Sequence, residues 1–245
     1  MRTSNPALNE NTFTDAVVVG EQRMTIQGAV NKTATLLMLV MITAIYSWQK
    51  FGTNPAGAWP LVIGGAIGGF IVGLVTTFKK EWAPVTAPIY ALCEGLFIGG
   101  ISAVYEAKFQ GIVLQAGMLT FGTLFALLAA YRSGWIRATE NFKLGVVAAT
   151  GGICIMYLVS WVLSMFNVNM SFMHGSGLLS IGISAFVVVI AALNLVLDFD
   201  FIEEGAKLGA PKYLEWYAAF GLLVTIVWLY IEILRLLAKL SSRRD

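Results

Sequence analysis

Seven runs of about 20 predominantly apolar residues dominate this chain, and each is long enough to cross the hydrocarbon core of a bilayer as a helix. They lie at residues 33–49, 59–78, 86–105, 112–131, 144–166, 178–200 and 214–239. The connections are short, so the sequence predicts an all-α membrane protein, a seven-span transmembrane helix bundle forming one domain over residues 29–245. The second and third runs contain GGAIGG and GLFIGG, whose small residues favour close helix packing.

The composition restricts the class of protein further. Hydrophobic residues make up 58% of the chain and charged residues 12%, whereas soluble domains carry roughly 25% charged residues. The net charge of +2 is too small to indicate a nucleic-acid partner. The chain has no HExxH, no CxxC and no glycine-rich phosphate loop before a lysine, so neither an enzyme site nor a cofactor is predicted. The only histidine, His174, is interpreted as an exposed loop residue.

The basic residues predict how the chain is oriented. Residues 1–28 are polar, with no apolar core after the charged start, and are interpreted as a flexible tail rather than a signal peptide. The side with this tail and the 2–3, 4–5 and 6–7 loops carries ten Lys and Arg, against six on the other side. The positive-inside rule therefore places the N-terminus in the cytoplasm. With seven spans, the C-terminus is expected outside, unless the last span does not fully cross the membrane.

Acids inside the predicted spans are candidates for function, because a charge at the bilayer centre costs about 2.5–3.5 kcal/mol on insertion scales. Glu94 lies near the middle of span 3, in YALCEGLF, and Glu232 lies in the last third of span 7, in WLYIEILRLL. At the end of span 6, Asn194 and Asp198 are four residues apart and share one helix face. Asp200 points nearly the other way.

Each of these acids also has a purely structural interpretation. Glu232 can pair with Arg235 one turn further on, with the arginine reaching toward the interface. Glu94 can be a carboxyl group hydrogen-bonded inside the bundle, and Asp198 can be a helix cap. Glu203 and Glu204 are interpreted as the solvated end of the helix. Alternatively, acids from different spans converge, share a proton and bind a hard cation through their oxygen atoms.

Three stretches, taken in order along the spans, resemble the Bax inhibitor-1-like (TMBIM/YccA-type) membrane family. They are YALCEGLFIGGISAVYE, LNLVLDFDFIEEG and WLYIEILRLLAKL. The resemblance covers roughly residues 25–240, and the N-terminal MRTSNPALNENTF looks like a bacterial branch of the family. It implies an inner-membrane protein in which a central seventh helix is surrounded by the other six. It also implies a pH-sensitive calcium leak gated by two facing acids on spans 6 and 7.

The resemblance assigns the gate to Asp198, in LDFDFI, and to Glu232, where family members usually have Asp. This pair would share a proton and act as a transient Ca²⁺ ligand, with Glu94, Asn194 and Asp200 as possible pore or support residues. With the pair protonated or sharing one proton, spans 6 and 7 stay together. When both acids are ionised, repulsion separates the two spans and opens a polar path.

The connection between spans 6 and 7, residues 201–215, looks longer than is usual in the family. If the spans form a straight hairpin turning near Gly209, Asp198 and Glu232 differ in depth by about 18 Å, at about 1.5 Å per helical residue. They meet only if the extra residues form an interfacial segment, so that span 7 begins near Gly221. Otherwise Asp198 or Asp200 faces another acid, with Glu215 or Glu94 as candidates.

Two other functions remain open at the level of the sequence. The chain can be a non-transporting regulator of a membrane protease or of a stress or cell-death pathway, with the tail as a docking element for a membrane protein partner. It can also be an intramembrane enzyme or a proton-coupled transporter. An enzyme requires a nucleophile–base pair or a metal set, which the sequence does not offer, and a transporter requires saturable coupled exchange.

Overall fold

The structure is a computed structural model and describes residues 23–166, 175 and 177–243. This part of the chain contains seven helices that are each long and apolar enough to cross a membrane. They are α1 (Ile26–Thr53), α2 (Pro55–Phe78), α3 (Ala83–Lys108, preceded by a 3₁₀ turn at Lys80–Trp82), α4 (Ile112–Arg132), α5 (Glu140–Met165), α6 (Leu178–Lys207) and α7 (Leu214–Ser241). The prediction of an all-α, seven-span protein is confirmed.

The first helix extends further toward the N-terminus than the apolar run. α1 begins at Ile26 rather than near residue 33, because the Thr25 side chain caps it by accepting a hydrogen bond from the Gly28 N–H at 2.9 Å. Residues 26–28 therefore belong to this helix and not to the predicted tail. Residues 1–22 of that tail, and His174, lie outside the described residues.

The two last helices are joined by a compact turn over residues 208–213. Gly209 follows α6 with φ +67°, a left-handed conformation that ends helices and favours glycine. The Leu214 N–H then donates to the Pro211 carbonyl at 3.0 Å as α7 begins. The predicted interfacial segment with a start near Gly221 is wrong, because residues 201–207 continue α6 and α7 is unbroken from Leu214 to Ser241.

The described chain forms two compact units. The N-terminal unit comprises residues 23–110 and 198–224, and the C-terminal unit comprises residues 111–197 and 225–243 as far as they are described. Both α6 and α7 contribute to each unit. Many side chains of α7 are fully or almost fully buried, among them Leu223, Leu229 and Leu234.

In the N-terminal unit, α3 packs closely against α1 and α2 through glycines. A Cβ atom added at Gly99 would lie 2.2 Å from the Ala44 carbonyl oxygen of α1. A Cβ atom added at Gly65 of α2 would lie 2.6 Å from the Cys93 carbonyl oxygen of α3. The helix backbones therefore approach to a distance that only glycine allows, which confirms the packing predicted for the two glycine motifs.

The C-terminal unit has an apolar core to which α5, α6 and α7 contribute. Val187 and Ile190 of α6 pack with Ile153 of α5, and Trp228 of α7 packs against this cluster. This core fixes the positions of the polar side chains that α5, α6 and α7 present to one another within the unit.

Candidate functional site

Glu94 lies at the midpoint of its membrane span. The span runs from Lys80 to Lys108, so 14 residues separate Glu94 from either end, which is about 21 Å along a helix axis. The Tyr90 hydroxyl, one turn earlier on α3, donates a hydrogen bond to the Glu94 carboxylate. Tyr90 itself is buried and meets the ring of Phe220 edge-on, with centroids 4.9 Å apart.

The neighbouring helix leaves room for the Glu94 carboxylate. A Cβ atom added at Gly69 of α2 would lie 3.1 Å from Glu94 Oε2, tighter than an ordinary contact. Among the described residues, no Lys or Arg forms an ion pair with Glu94. Glu94 is therefore a mid-span acid whose hydrogen-bond partner is a neutral tyrosine.

Glu232 is held in a cluster of three polar residues in the C-terminal unit. Its side chain is 2% exposed. The Tyr157 hydroxyl of α5 donates to Glu232 Oε1 at 3.0 Å, and Arg235 Nη1 donates to the same oxygen at 3.1 Å. Arg235 Nη1 also donates to the Tyr157 hydroxyl oxygen at 2.9 Å, which closes the triangle. The alternative pairing of Glu232 with Arg235 is thus present.

Asp198 and Glu232 lie at different distances along their helices from the turn between α6 and α7. Because α7 begins at Leu214, Glu232 lies 18 residues into that helix, about 27 Å from its start. Asp198 is 9 residues from the end of α6 at Lys207, about 14 Å. Asp198 belongs to the N-terminal unit and Glu232 to the C-terminal unit. Their pairing stays a prediction.

The other polar residues toward the end of α6 differ in their burial and in their hydrogen-bond partners. Asn194, in the C-terminal unit, donates from Nδ2 to the Thr150 hydroxyl and to the Ile190 carbonyl, both at 2.8 Å. Its amide therefore ties α6 to α5. Asp198 and Asp200 are half-buried. Glu203 forms an ion pair with the exposed Lys207, in agreement with a partly solvated helix end.

One acid was not recognised as a site in its own right. Glu215, proposed above only as a possible partner for Asp198 or Asp200, is 1% exposed. Its partners are Thr25 and Lys32, with Lys32 Nζ 2.6 Å from Glu215 Oε2. These residues are 183 or more positions apart, so no local sequence pattern could have indicated the contact. By contrast, the pairing of Tyr90 with Glu94 follows the i, i+4 rule.

A tight metal site is not formed by the described residues, which contain no group of three or more His, Cys, Asp and Glu able to hold a metal ion. Calcium prefers six to eight oxygen ligands. The described residues therefore do not provide a closed all-protein calcium cage.

The fold and these acids define a class: a multi-pass α-helical membrane protein with carboxylates inside its spans. The family model described as Bax inhibitor 1 like matches residues 5–242. The chain belongs to this Bax inhibitor-1-like family. Neither the curated proteins nor the solved structures contained a match.

Proposed function

We propose that the protein is a pH-sensitive cation leak of the inner membrane, with calcium as the permeant ion and no catalytic activity. The observation that supports this most directly is Glu94, an acid at the midpoint of a spanning helix without an ion-pair partner among the described residues. Such a group is costly at membrane depth and characteristically marks an ion or proton pathway.

The chemistry of this carboxylate suits a cation that passes through the protein rather than one that is bound tightly. Carboxylate oxygens are the ligands that Ca²⁺ prefers, and one carboxylate with water binds it weakly enough to release it. Protons compete for the same oxygen atoms, so the occupancy of Glu94 by a cation falls as the pH falls. Flux through a path that includes Glu94 is accordingly lower in acid.

Asp198 and Glu232 remain the proposed gate, and both remain proposed transient Ca²⁺ ligands. The Glu232 carboxylate is held within the C-terminal unit by hydrogen bonds from the Tyr157 hydroxyl at 3.0 Å and from Arg235 Nη1 at 3.1 Å. The proposed gate carboxylate therefore has a fixed position relative to α5.

The test is calcium flux into proteoliposomes that contain purified protein. The flux is measured from about pH 6 to pH 8, a range into which burial commonly raises the pKa of carboxyl groups. Wild type is compared with Glu94→Gln, Asp198→Asn and Glu232→Gln. Glu106→Gln serves as the matched control, because it removes one charge from the same helix only two residues before its end at Lys108.

We expect flux that rises with pH in the wild type and in Glu106→Gln, is strongly reduced in Glu94→Gln, and depends less on pH in the two gate variants, which keep Glu94. Unchanged flux in Glu94→Gln would remove the role proposed for that residue. No flux at any pH from folded protein would reject the leak and favour the non-transporting regulator with a membrane protein partner.

A further inference from the structure

One buried acid in the first turn of α7 connects that helix to the start of α1. Glu215 Oε1 accepts hydrogen bonds from the Thr25 N–H and from the Thr25 hydroxyl, both at 3.0 Å. Glu215 Oε2 accepts from Lys32 Nζ at 2.6 Å. The Lys32 ammonium group also lies 5.5 Å from the ring centroid of Trp216. Both oxygens of this carboxylate are thus engaged by α1 and its cap.

The shape of α1 is adapted to this carboxylate. The Thr25 hydroxyl donates to Glu215 and accepts from the Gly28 N–H at 2.9 Å, so one group serves both the cap and the contact. A Cβ atom added at Gly28 would lie 2.0 Å from Glu215 Oε1. A negative charge at this place is also favoured by the positive end of the helix dipole. Glu215 therefore acts as a second cap of α1, supplied from 187 residues beyond Gly28.

Main-chain contacts extend the same junction. Arg23 and Pro211 form an isolated antiparallel bridge, and the Met24 N–H donates to the Ala210 carbonyl at 2.6 Å. The side chain of Arg23 passes over Gly209, where an added Cβ atom would lie 3.4 Å from Arg23 Cδ. Three consecutive residues, 23 to 25, thus contact the turn or the first residues of α7.

The junction is nevertheless thin. Met24 is buried, whereas Arg23, Thr25, Ile26 and Gln27 are exposed. A segment with one apolar anchor and few main-chain bonds opens more readily than the rest of a fold. The contacts of Glu215 are therefore the main force that keeps it closed.

We propose that Arg23–Lys32 and residues 209–216 form a releasable latch, with Glu215 as its central group. Through this latch, a partner that pulls on the N-terminal tail would move the α6–α7 turn and the acid-bearing end of α6. The latch itself is independent of the proposed leak, while its effect on flux rests on that function.

The latch is tested by trypsin cleavage of the full chain at the Arg23–Met24 bond, followed by mass spectrometry. Cleavage requires the segment to leave the turn, so its rate reports the open population when closing is faster than cutting. Glu215→Gln keeps the size of the side chain but removes the charge. We expect cleavage about tenfold faster or more, as the loss of charge-assisted hydrogen bonds implies. The matched control is Glu203→Gln, which removes a charge from a surface ion pair with Lys207 and should cleave at the wild-type rate.

Thermal unfolding separates a latch from a general support. Faster cleavage at an unchanged melting temperature supports the latch. If Glu215→Gln also unfolds the helices, Lys32→Met replaces it, because this variant removes the ammonium contact with Glu215 Oε2 and leaves the Thr25 cap of α1 in place. Wild-type cleavage rates in every variant that stays folded would overturn the proposal, as would an equal increase in Glu203→Gln.

A crosslink tests the effect on flux. Arg23→Cys with Pro211→Cys places thiols on bridge partners, which lie at a distance that disulfides span. The free thiols Cys93 and Cys154 are first replaced by alanine. Oxidation should lower calcium flux several-fold and reduction should restore it. If the wild type carries no flux, the leak is rejected, while the cleavage experiment still decides the latch; flux unaffected by the closed disulfide would overturn its regulatory role.

Discussion

In the triangle of Tyr157, Glu232 and Arg235, the two charged residues lie on α7 and the tyrosine lies on α5. The hydrogen bond from the Tyr157 hydroxyl therefore links Glu232 to another helix. Replacing Tyr157 by phenylalanine keeps the ring and removes two hydrogen bonds, one donated to the buried Glu232 carboxylate and one accepted from Arg235 Nη1. We expect Tyr157→Phe to lower the free energy of unfolding by about 1.5–3 kcal/mol, the range for hydrogen bonds to charged groups. Denaturant unfolding in detergent measures it. Tyr46→Phe is the control, because that tyrosine is about half exposed, and an equal effect of both changes would contradict the assignment.

Gly28 is predicted to tolerate no side chain. The Cβ atom of Gly28→Ala would meet the Glu215 carboxylate at 2.0 Å, so the variant should lose about 1–3 kcal/mol of stability, as over-packed sites do. Gly52→Ala, on the same helix, meets nothing within 4 Å and should be neutral or gain up to about 1 kcal/mol. Melting temperatures of the two variants provide the comparison, and a Gly28→Ala protein as stable as Gly52→Ala would refute the contact.

For contacts between individual residues, the sequence predicts only those within one helix. Glu94 with Tyr90 and Glu232 with Arg235 are spaced by four and three residues, so helical geometry alone brings them together. Tyr157 and Glu232 are 75 residues apart, and Lys32 and Glu215 are 183 residues apart. Which residues of different helices meet depends on the rotation and depth of each helix, and neither can be read from apolar runs.

Among the elements, α1 and α3 form a contact that depends on Gly99. Gly99→Ala would bring a Cβ atom to 2.2 Å from a backbone oxygen of α1, and backbone cannot move aside as a flexible side chain can. We expect a loss of about 1–3 kcal/mol or more and a lower melting temperature. Gly122→Ala on α4, with nothing within 4 Å, should leave stability almost unchanged; a Gly99→Ala protein of wild-type stability would contradict the close packing.

Gly221 distinguishes an unbroken α7 from a helix that begins there. Within a continuous helix, and with open space around an added Cβ atom, Gly221→Ala should raise stability by about 0.5–1 kcal/mol. A helix break at this glycine would instead make alanine harmful. The measurement is thermal unfolding, and a clear loss of stability would restore the interfacial segment that the sequence suggested.

The cores of the helices could be predicted from the sequence, and so could the starts of α4, α6 and α7, whereas the start of α1 could not. Apolar runs mark the part of each helix that lies in the hydrocarbon region, but helices continue into polar sequence wherever caps satisfy their ends. α1 gains its first turns because Thr25 caps it and Glu215 supports that cap. The predicted span 7, residues 214–239, agrees with α7, whereas the alternative start near Gly221 is not present, because Pro211 and Gly209 both lie in the turn before the helix.

For the whole molecule, the orientation proposed from the basic residues places the 4–5 loop in the cytoplasm and the 3–4 loop outside. Arg137 and Gln110 are exposed residues in the 4–5 and 3–4 loops. With Cys93 and Cys154 replaced by alanine, Gln110→Cys should react with an impermeant maleimide in intact cells and Arg137→Cys should not. The opposite labelling would reverse the proposed orientation.

The seven-span architecture follows from the sequence because length and hydropathy determine it. The division into two compact units does not, since it depends on which segments of α6 and α7 pack with which other helices. The gate was the least predictable part: two acids can be matched to a family pattern without any indication of their depth, and depth decides whether they meet.

The contact between Lys32 and Glu215 also has a consequence in time. The two residues are 183 positions apart, so at about 5–20 residues per second a ribosome exposes the glutamate about 10–40 s after the lysine. Throughout that interval the first helix carries an ammonium group whose counter-charge has not yet been made. This contact can therefore close only after synthesis has passed the beginning of the seventh helix, and a chain interrupted earlier lacks the carboxylate that accepts from Thr25 and Lys32.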